Sequence, residues 1–127
     1  MLDTSVLIDL DEIDASDLPT EVAVSAITMA ELAAGPHATN DPDERARRQD
    51  RLQRAEAAFD PLPFDGEAAR AYGRIFSSVI AAGRRARGAR AVDLLIAATA
   101  LSVGLPLYTR NGDDFRALDD LVHVVVV

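Results

Sequence analysis

The chain has 127 residues, 49 % of them hydrophobic, no cysteine and a formal net charge of −8. That length suits one domain with a proper core, and the absence of cysteine excludes disulfides, thiolate metal sites and thiol nucleophiles. All 13 basic residues are arginine, which excludes P-loop and Schiff-base chemistry, since both need a lysine.

Met1-Leu2-Asp3 shows neither a basic n-region nor an apolar h-region, so no signal peptide is expected. Met1-Leu2 reads as the stub of a strand, and Thr4 to about Leu10 as a turn into a helix. Glu21 to Ile27 has the β-branched content of a strand. Thr28 precedes Glu31 by capping-box spacing, and Gly35-Pro36 stops the helix that follows. Asn40-Asp41-Pro42 caps an Arg/Glu/Ala-rich helix reaching about Phe59, and Pro61 to Phe64 is short and extended. Asp65 caps a long helix ending at Gly83. A linker of arginine and small residues, Arg84 to Arg90, leads to a helix from about Val92 to Val103, closed by Gly104. Leu105 to Thr109 is a strand, Asn111 to Leu118 a short helix, and Val122 to Val127 a final strand. The apolar stretch Leu94 to Tyr108 is too short to span a bilayer and contains Gly104 and Pro106. Alternating strands and helices with short connections predict a single α/β domain over residues 1–127, a three-layer sandwich with a mainly parallel central sheet. No membrane association is expected, and the cytoplasm is the expected location.

In an open parallel sheet, ligands gather beyond the carboxyl ends of the strands. Asp3 directly follows the first strand, Glu31 lies one turn past the second, and Asp114 follows Leu105–Thr109 across a short turn. Asp93 opens the next-to-last helix and reaches the same mouth if the arginine linker crosses there. Each has an ordinary alternative: Asp3 as an N-cap, Glu31 as half of a capping box, Asp114 as a first-turn acid on the helix dipole. Asp93 is the least ordinary, because the helix it opens is apolar almost all round and a carboxylate there must be paired, capping or metal-bound. Four acids without lysine or cysteine point to Mg²⁺ or Mn²⁺, hard cations that take oxygen ligands and act on phosphate substrates. His37, in a loop, and His123, on the last strand, are not expected to be catalytic.

Leu2-Asp3-Thr4-Ser5, Ser25-Ala26-Ile27-Thr28-Met29-Ala30-Glu31-Leu32, Ala91-Val92-Asp93-Leu94 and Thr109-Arg110-Asn111-Gly112-Asp113-Asp114-Phe115 resemble, in order and spacing, the four motifs of PIN domains. Within that family the chain is most similar to the VapC-type toxins of bacterial toxin–antitoxin pairs. The resemblance implies an endoribonuclease dependent on Mg²⁺ or Mn²⁺, a homodimer, and silencing by a VapB-type antitoxin. It implies that Asp3 and Asp93 hold metal, that Glu31 and Asp114 complete the acidic set, and that Ser5, Thr109 and Asn111 support it. Asp113 competes with Asp114 for the fourth role. The apolar run before the first Asp is shorter than the family's.

Arginines cluster twice. Arg45, Arg47, Arg48, Arg51 and Arg54 are interleaved with acids and read as a solvated helix face with i,i+4 pairs. Arg84, Arg85, Arg87 and Arg90, joined by Arg110, stand beside Asp93 and read either as an RNA-backbone contact or as a linker kept soluble by charge. Two other functions compete. A small-molecule metal phosphohydrolase of the haloacid-dehalogenase kind wants Asp-x-Asp and a lysine, and Asp3-Thr4-Ser5 does not comply. A non-catalytic binding module would have no need of the complete acid set.

Overall fold

The computed structural model describes residues 1–84 and 91–127 in full, and the backbone of 89 and 90. Its helices are α1 (Thr4–Ile8), α2 (Ala26–Ala34), α3 (Pro42–Ala58), α4 (Gly66–Ala81) and α5 (Ala89–Val103), and its regular strands are β1 (Leu107–Thr109) and β2 (Val124–Val126). Short 3₁₀ turns fill several connections, among them Gly35–Ala38 and Gly112–Leu118.

The sheet is wider than its two regular strands. β1 and β2 run parallel with Leu107 opposite Val124, and three more rows join through single parallel bridges: Leu2 to both Val24 and Tyr108, and Ser25 to Leu62. The order across the sheet is therefore Leu62, Val24–Ser25, Leu2, β1, β2. Leu2 is the central row, locked by Leu2 N donating to Ala23 O at 2.9 Å and Asp3 N to Tyr108 O at 3.0 Å. Strand order reverses there, which makes the carboxyl end of this row the crevice of the sheet.

Side-chain alternation gives the sheet two buried faces. Met1 and Leu107 face one core with Ile75 and Val79 of α4, Leu94 and Ile96 of α5, and Phe115. Leu2, Val24 and Tyr108 face the other, with Val6 and Leu7 of α1, Leu32 of α2 and Ala55 of α3. Helices on both faces of a parallel sheet are the expected three layers.

Several caps stand where expected. Asp41 and Asp65 accept from Asp43 N and Ala68 N, and Gly83 and Gly104 take positive φ after α4 and α5. The last two strands are shorter than expected, Leu107–Thr109 and Val124–Val126, and two other boundaries differ in ways that bear on the site. The strand expected over 21–27 shrinks to bridges at Val24 and Ser25, because the Ser25 hydroxyl caps α2 by accepting from Thr28 N. Thr28 is thus an interior helix residue, and Thr28 with Glu31 is not a capping box. α5 begins at Ala89 instead of Val92, so Asp93 lies in its second turn and does not open the helix.

Candidate active site

Asp3 leaves the central row directly into α1 and is 3 % exposed. Its Oδ1 accepts from Val6 N at 3.1 Å and from Ser5 Oγ at 2.6 Å. It is therefore an N-cap, but both bonds fall on Oδ1, and Oδ2 accepts none among the described residues. Capping and metal-holding are compatible in this geometry.

Glu31 sits in α2, carried to the same mouth by the Val24–Ser25 row. Its Oε1 accepts from Thr4 Oγ1 at 2.5 Å, and that hydroxyl lies 3.1 Å from Thr28 Oγ1. Thr28 is in turn 3.3 Å from Ser25 Oγ. A chain of hydroxyls thus runs from the cap of α2 to its acid. The motif reading overlooked Thr4, Ser25 and Thr28 as supporting groups; the available signal was Thr28 three positions before Glu31, hence on the same helix face.

The turn after β1 adds the third wall. Ser5 Oγ accepts from Arg110 N at 3.1 Å, and Thr109 Oγ1 from Asn111 N at 3.0 Å. Ser5 therefore ties α1 to the end of β1. Asn111 takes part through its backbone amide, and Thr109 through its side chain. Asp113 points outward: its side chain is 83 % exposed and pairs with Arg116. Asp114 is half-buried, with its amide donating to Asn111 O at 3.1 Å. Gly112, just before the pair, packs so closely on β2 that a Cβ there would lie 2.5 Å from Val126 Cγ2.

Asp93 is half-buried on α5, beside Leu94, Ile96, Ala97 and Ala98, which are fully buried. Among the described residues no three acidic or imidazole side chains stand close enough to hold one ion, so the four acids do not form a cage there. Their chemistry still fits a hard divalent cation, being oxygen-only, with a buried carboxylate whose second oxygen accepts no bond from the described residues.

The arginines divide by use. Arg84 donates to Asp113 O at 2.8 Å, so it braces the acidic turn, and Arg110 Nε lies 3.9 Å from Asp9 Oδ2. Arg85 and Arg87, and the side chain of Arg90, lie outside the described residues. On α3, Arg48 and Arg54 make the expected i,i+4 pairs with Glu44 and Asp50, and Arg47 joins Glu44 at i,i+3. Arg45 and Arg48 do more: they donate to Pro36 O, Thr39 O and Gly35 O and fasten α3 to the turn after α2. His37 and His123 are exposed.

The family profile described as PIN domain matches residues 1–121. The chain belongs to the PIN-domain family. This PIN domain is 38 % identical to ribonuclease VapC5 of Mycobacterium tuberculosis over 130 aligned residues, covering 100 % of this chain and 93 % of that one. It is 40 % identical to ribonuclease VapC8 of the same species over 79 % of this chain and 88 % of that one. Among solved structures it superposes on a crystal structure of a member of the VapBC family of toxin–antitoxin systems, VapBC-5 from M. tuberculosis, with a TM-score of 0.84, 40 % identity, and coverage of 99 % and 94 % of the two chains. It is a PIN domain of the VapC ribonuclease group.

Proposed function

We propose that this PIN domain is the endoribonuclease toxin of a VapBC-type pair, cleaving RNA phosphodiesters with Mg²⁺ or Mn²⁺ held by Asp3, Glu31, Asp93 and Asp114. The observation that carries the reading is the placing of buried Asp3 at the carboxyl end of the central row, with Glu31 delivered from the neighbouring row and Asp114 from the turn after β1. A cation bound there would supply activated water and offset charge on the phosphoryl oxygens. The chain's own groups do the positioning. The Thr4 hydroxyl holds one oxygen of Glu31, so that carboxylate needs little rearrangement when substrate arrives. Ser5 fixes both Asp3 and the start of the turn carrying Asp114. Arg84 acts as a brace for that turn, and Arg85, Arg87, Arg90 and Arg110 are proposed to meet the RNA backbone.

A VapB-type antitoxin is the proposed partner. An apolar groove of about 250 Å³ lies between α1, α2 and α3, lined by Leu7, Ile8, Leu32, Ala58 and Phe59 among others. A partner segment ordering on binding would cover it. Phe76 and Ile80, exposed one turn apart on α4, supply an apolar strip for a homodimer. Among the described residues no helix is long and apolar enough to cross a membrane, and the cytoplasm, where RNA and antitoxin meet, is the proposed place of action. Bulk RNA incubated with pure protein and titrated with Mg²⁺ or Mn²⁺ tests the reading. Metal-dependent cleavage abolished by EDTA is expected; intact RNA at every metal concentration would overturn it.

A further inference from the structure

A second concavity, of about 300 Å³, opens on the α2–α3 side of Glu31, and Thr4, Glu31, Glu44, Arg48 and Arg51 are among its lining residues. Arg48 and Arg51 stand one helical turn apart on α3, so both reach the same pocket. Their commitments differ. Arg45, Arg47, Arg48 and Arg54 all have carboxylate or carbonyl partners. Arg51, half-buried, has no hydrogen bond or ion pair among the described residues, although the chain is acidic and Glu31 and Glu44 line the same pocket. Glu44 is already occupied, accepting from Arg47 at 2.8 Å and Arg48 at 3.1 Å. The spare charge on that wall is the guanidinium of Arg51.

We propose that Arg51 is a phosphate subsite that grips the RNA backbone next to the phosphodiester being cut. The inference rests on the ribonuclease reading and adds to it a substrate-positioning residue outside the four acidic motifs. A guanidinium presents planar, forked donors to phosphate oxygens and stays charged at any working pH. Thr4 and Glu31 belong both to this pocket and to the acidic mouth, so a strand engaged at the acids continues into it without leaving the surface. Arg51 also bears on a conflict of sign. With a net charge of −8, the chain as a whole repels RNA, and attraction must come from local cations whose charge is not already spent inside the protein.

The test compares wild type, Arg51→Gln, Arg51→Lys and Arg70→Gln. Arg70→Gln makes the same charge change at an exposed site on α4. Cleavage of a fluorescein-labelled, mixed-sequence, single-stranded RNA is followed in Mn²⁺ over a range of salt, with thermal melts to confirm folding. Arg51→Gln is expected to lower kcat/KM about tenfold, the weight of one charge-assisted hydrogen bond, chiefly by raising KM. The salt dependence of log(kcat/KM) should become shallower by about 0.7 of a unit, the value for one lost phosphate contact on a single strand. Arg51→Lys should restore the slope but only part of the affinity, and Arg70→Gln should match wild type. If wild type cleaves and Arg51→Gln has an unchanged KM and slope, the subsite is wrong while the ribonuclease reading stands. If Arg51→Gln weakens only binding of a co-expressed antitoxin, Arg51 belongs to the protein interface and the proposal falls. A wild type inert towards RNA would instead sink the ribonuclease reading and the subsite with it.

Discussion

Asp3 combines a structural and a chemical role, and two substitutions separate them. Asp3→Ala removes both bonds at Oδ1, to Val6 N and Ser5 Oγ, from a residue 3 % exposed. Loss of an N-cap costs about 0.5–2 kcal/mol, and leaving a buried donor unsatisfied costs about 1–3 kcal/mol. The two overlap on the Val6 amide, so the sum is about 2–3 kcal/mol. For 127 residues the unfolding entropy makes each kcal/mol worth about 4 °C, and Asp3→Ala should therefore melt about 10 °C below wild type. Asp3→Asn keeps a carbonyl oxygen for both donors and is an equally good cap, so its Tm should stay within about 2 °C of wild type. Its cleavage of RNA should nevertheless fall by at least about a hundredfold, because an amide is a poor ligand for a hard cation. Calorimetry of the three proteins in EDTA, with an RNA cleavage assay on the same samples, reads both roles. Equal melting of the Asn and Ala variants would refute the capping energetics, and wild-type cleavage by Asp3→Asn would refute the chemical role.

Mn²⁺ should raise the wild-type Tm by mass action on the native state, and Asp93→Asn should blunt that rise and abolish cleavage without unfolding; coincident melts with and without Mn²⁺ would contradict the acid cluster. Gly112→Ala should lower the Tm by about 2–4 °C and slow cleavage, since its methyl group would collide with Val126 and displace the turn bearing Asp114; adding Val126→Ala should recover most of both losses, a non-additivity that a double-mutant cycle measures. Arg47, and secondarily Arg48, hold the Glu44 carboxyl below its ordinary value of 4.5. A depressed acid stabilises the fold above its unfolded value and loses that contribution as pH falls through the folded one, so the Tm gap between wild type and Glu44→Gln should be full above pH 4.5 and close in stronger acid; a gap independent of pH would show that the pair does not contribute.

What the sequence made legible was mostly punctuation. Asp41, Asp65, Gly83 and Gly104 act locally, through a side-chain cap or a positive φ, and a local rule finds them. The short strands were harder. Val24, Leu2 and Leu62 each contribute little more than one bridge, and β-branched content alone extended the second strand into what is a helix capped by Ser25. α5 starts a turn early because Ala89 and Arg90 are good helix formers, which a reading of Arg84–Arg90 as a linker overlooked. At the site, the motifs named Ser5 and Thr109, which do bond there, but missed Thr4, Ser25 and Thr28. Thr4 lay unnoticed between Asp3 and Ser5, because its partner Glu31 is 27 positions away. The arginines were legible as charge and illegible as bonding, since Arg45, Arg48 and Arg84 aim at backbone carbonyls that carry no signal in a list of residue types.

The middle of the sheet is assembled from the two ends of the chain. Met1's amine donates to Pro106 O, and Arg110 N to Ser5 Oγ, each across 105 residues. During synthesis Asp3 emerges early, but the wall beside it exists only after Leu107–Thr109 has left the ribosome. Pairing so distant in sequence closes late. A chain that stops before Leu107 therefore has Asp3, Glu31 and Asp93 but neither Asp114 nor the crevice beside Asp3, and destructive capacity is expected only once that last segment has joined the sheet. Ribosome-arrested chains ending before Leu107 should be readily proteolysed and inert towards RNA, whereas full-length chains should resist digestion.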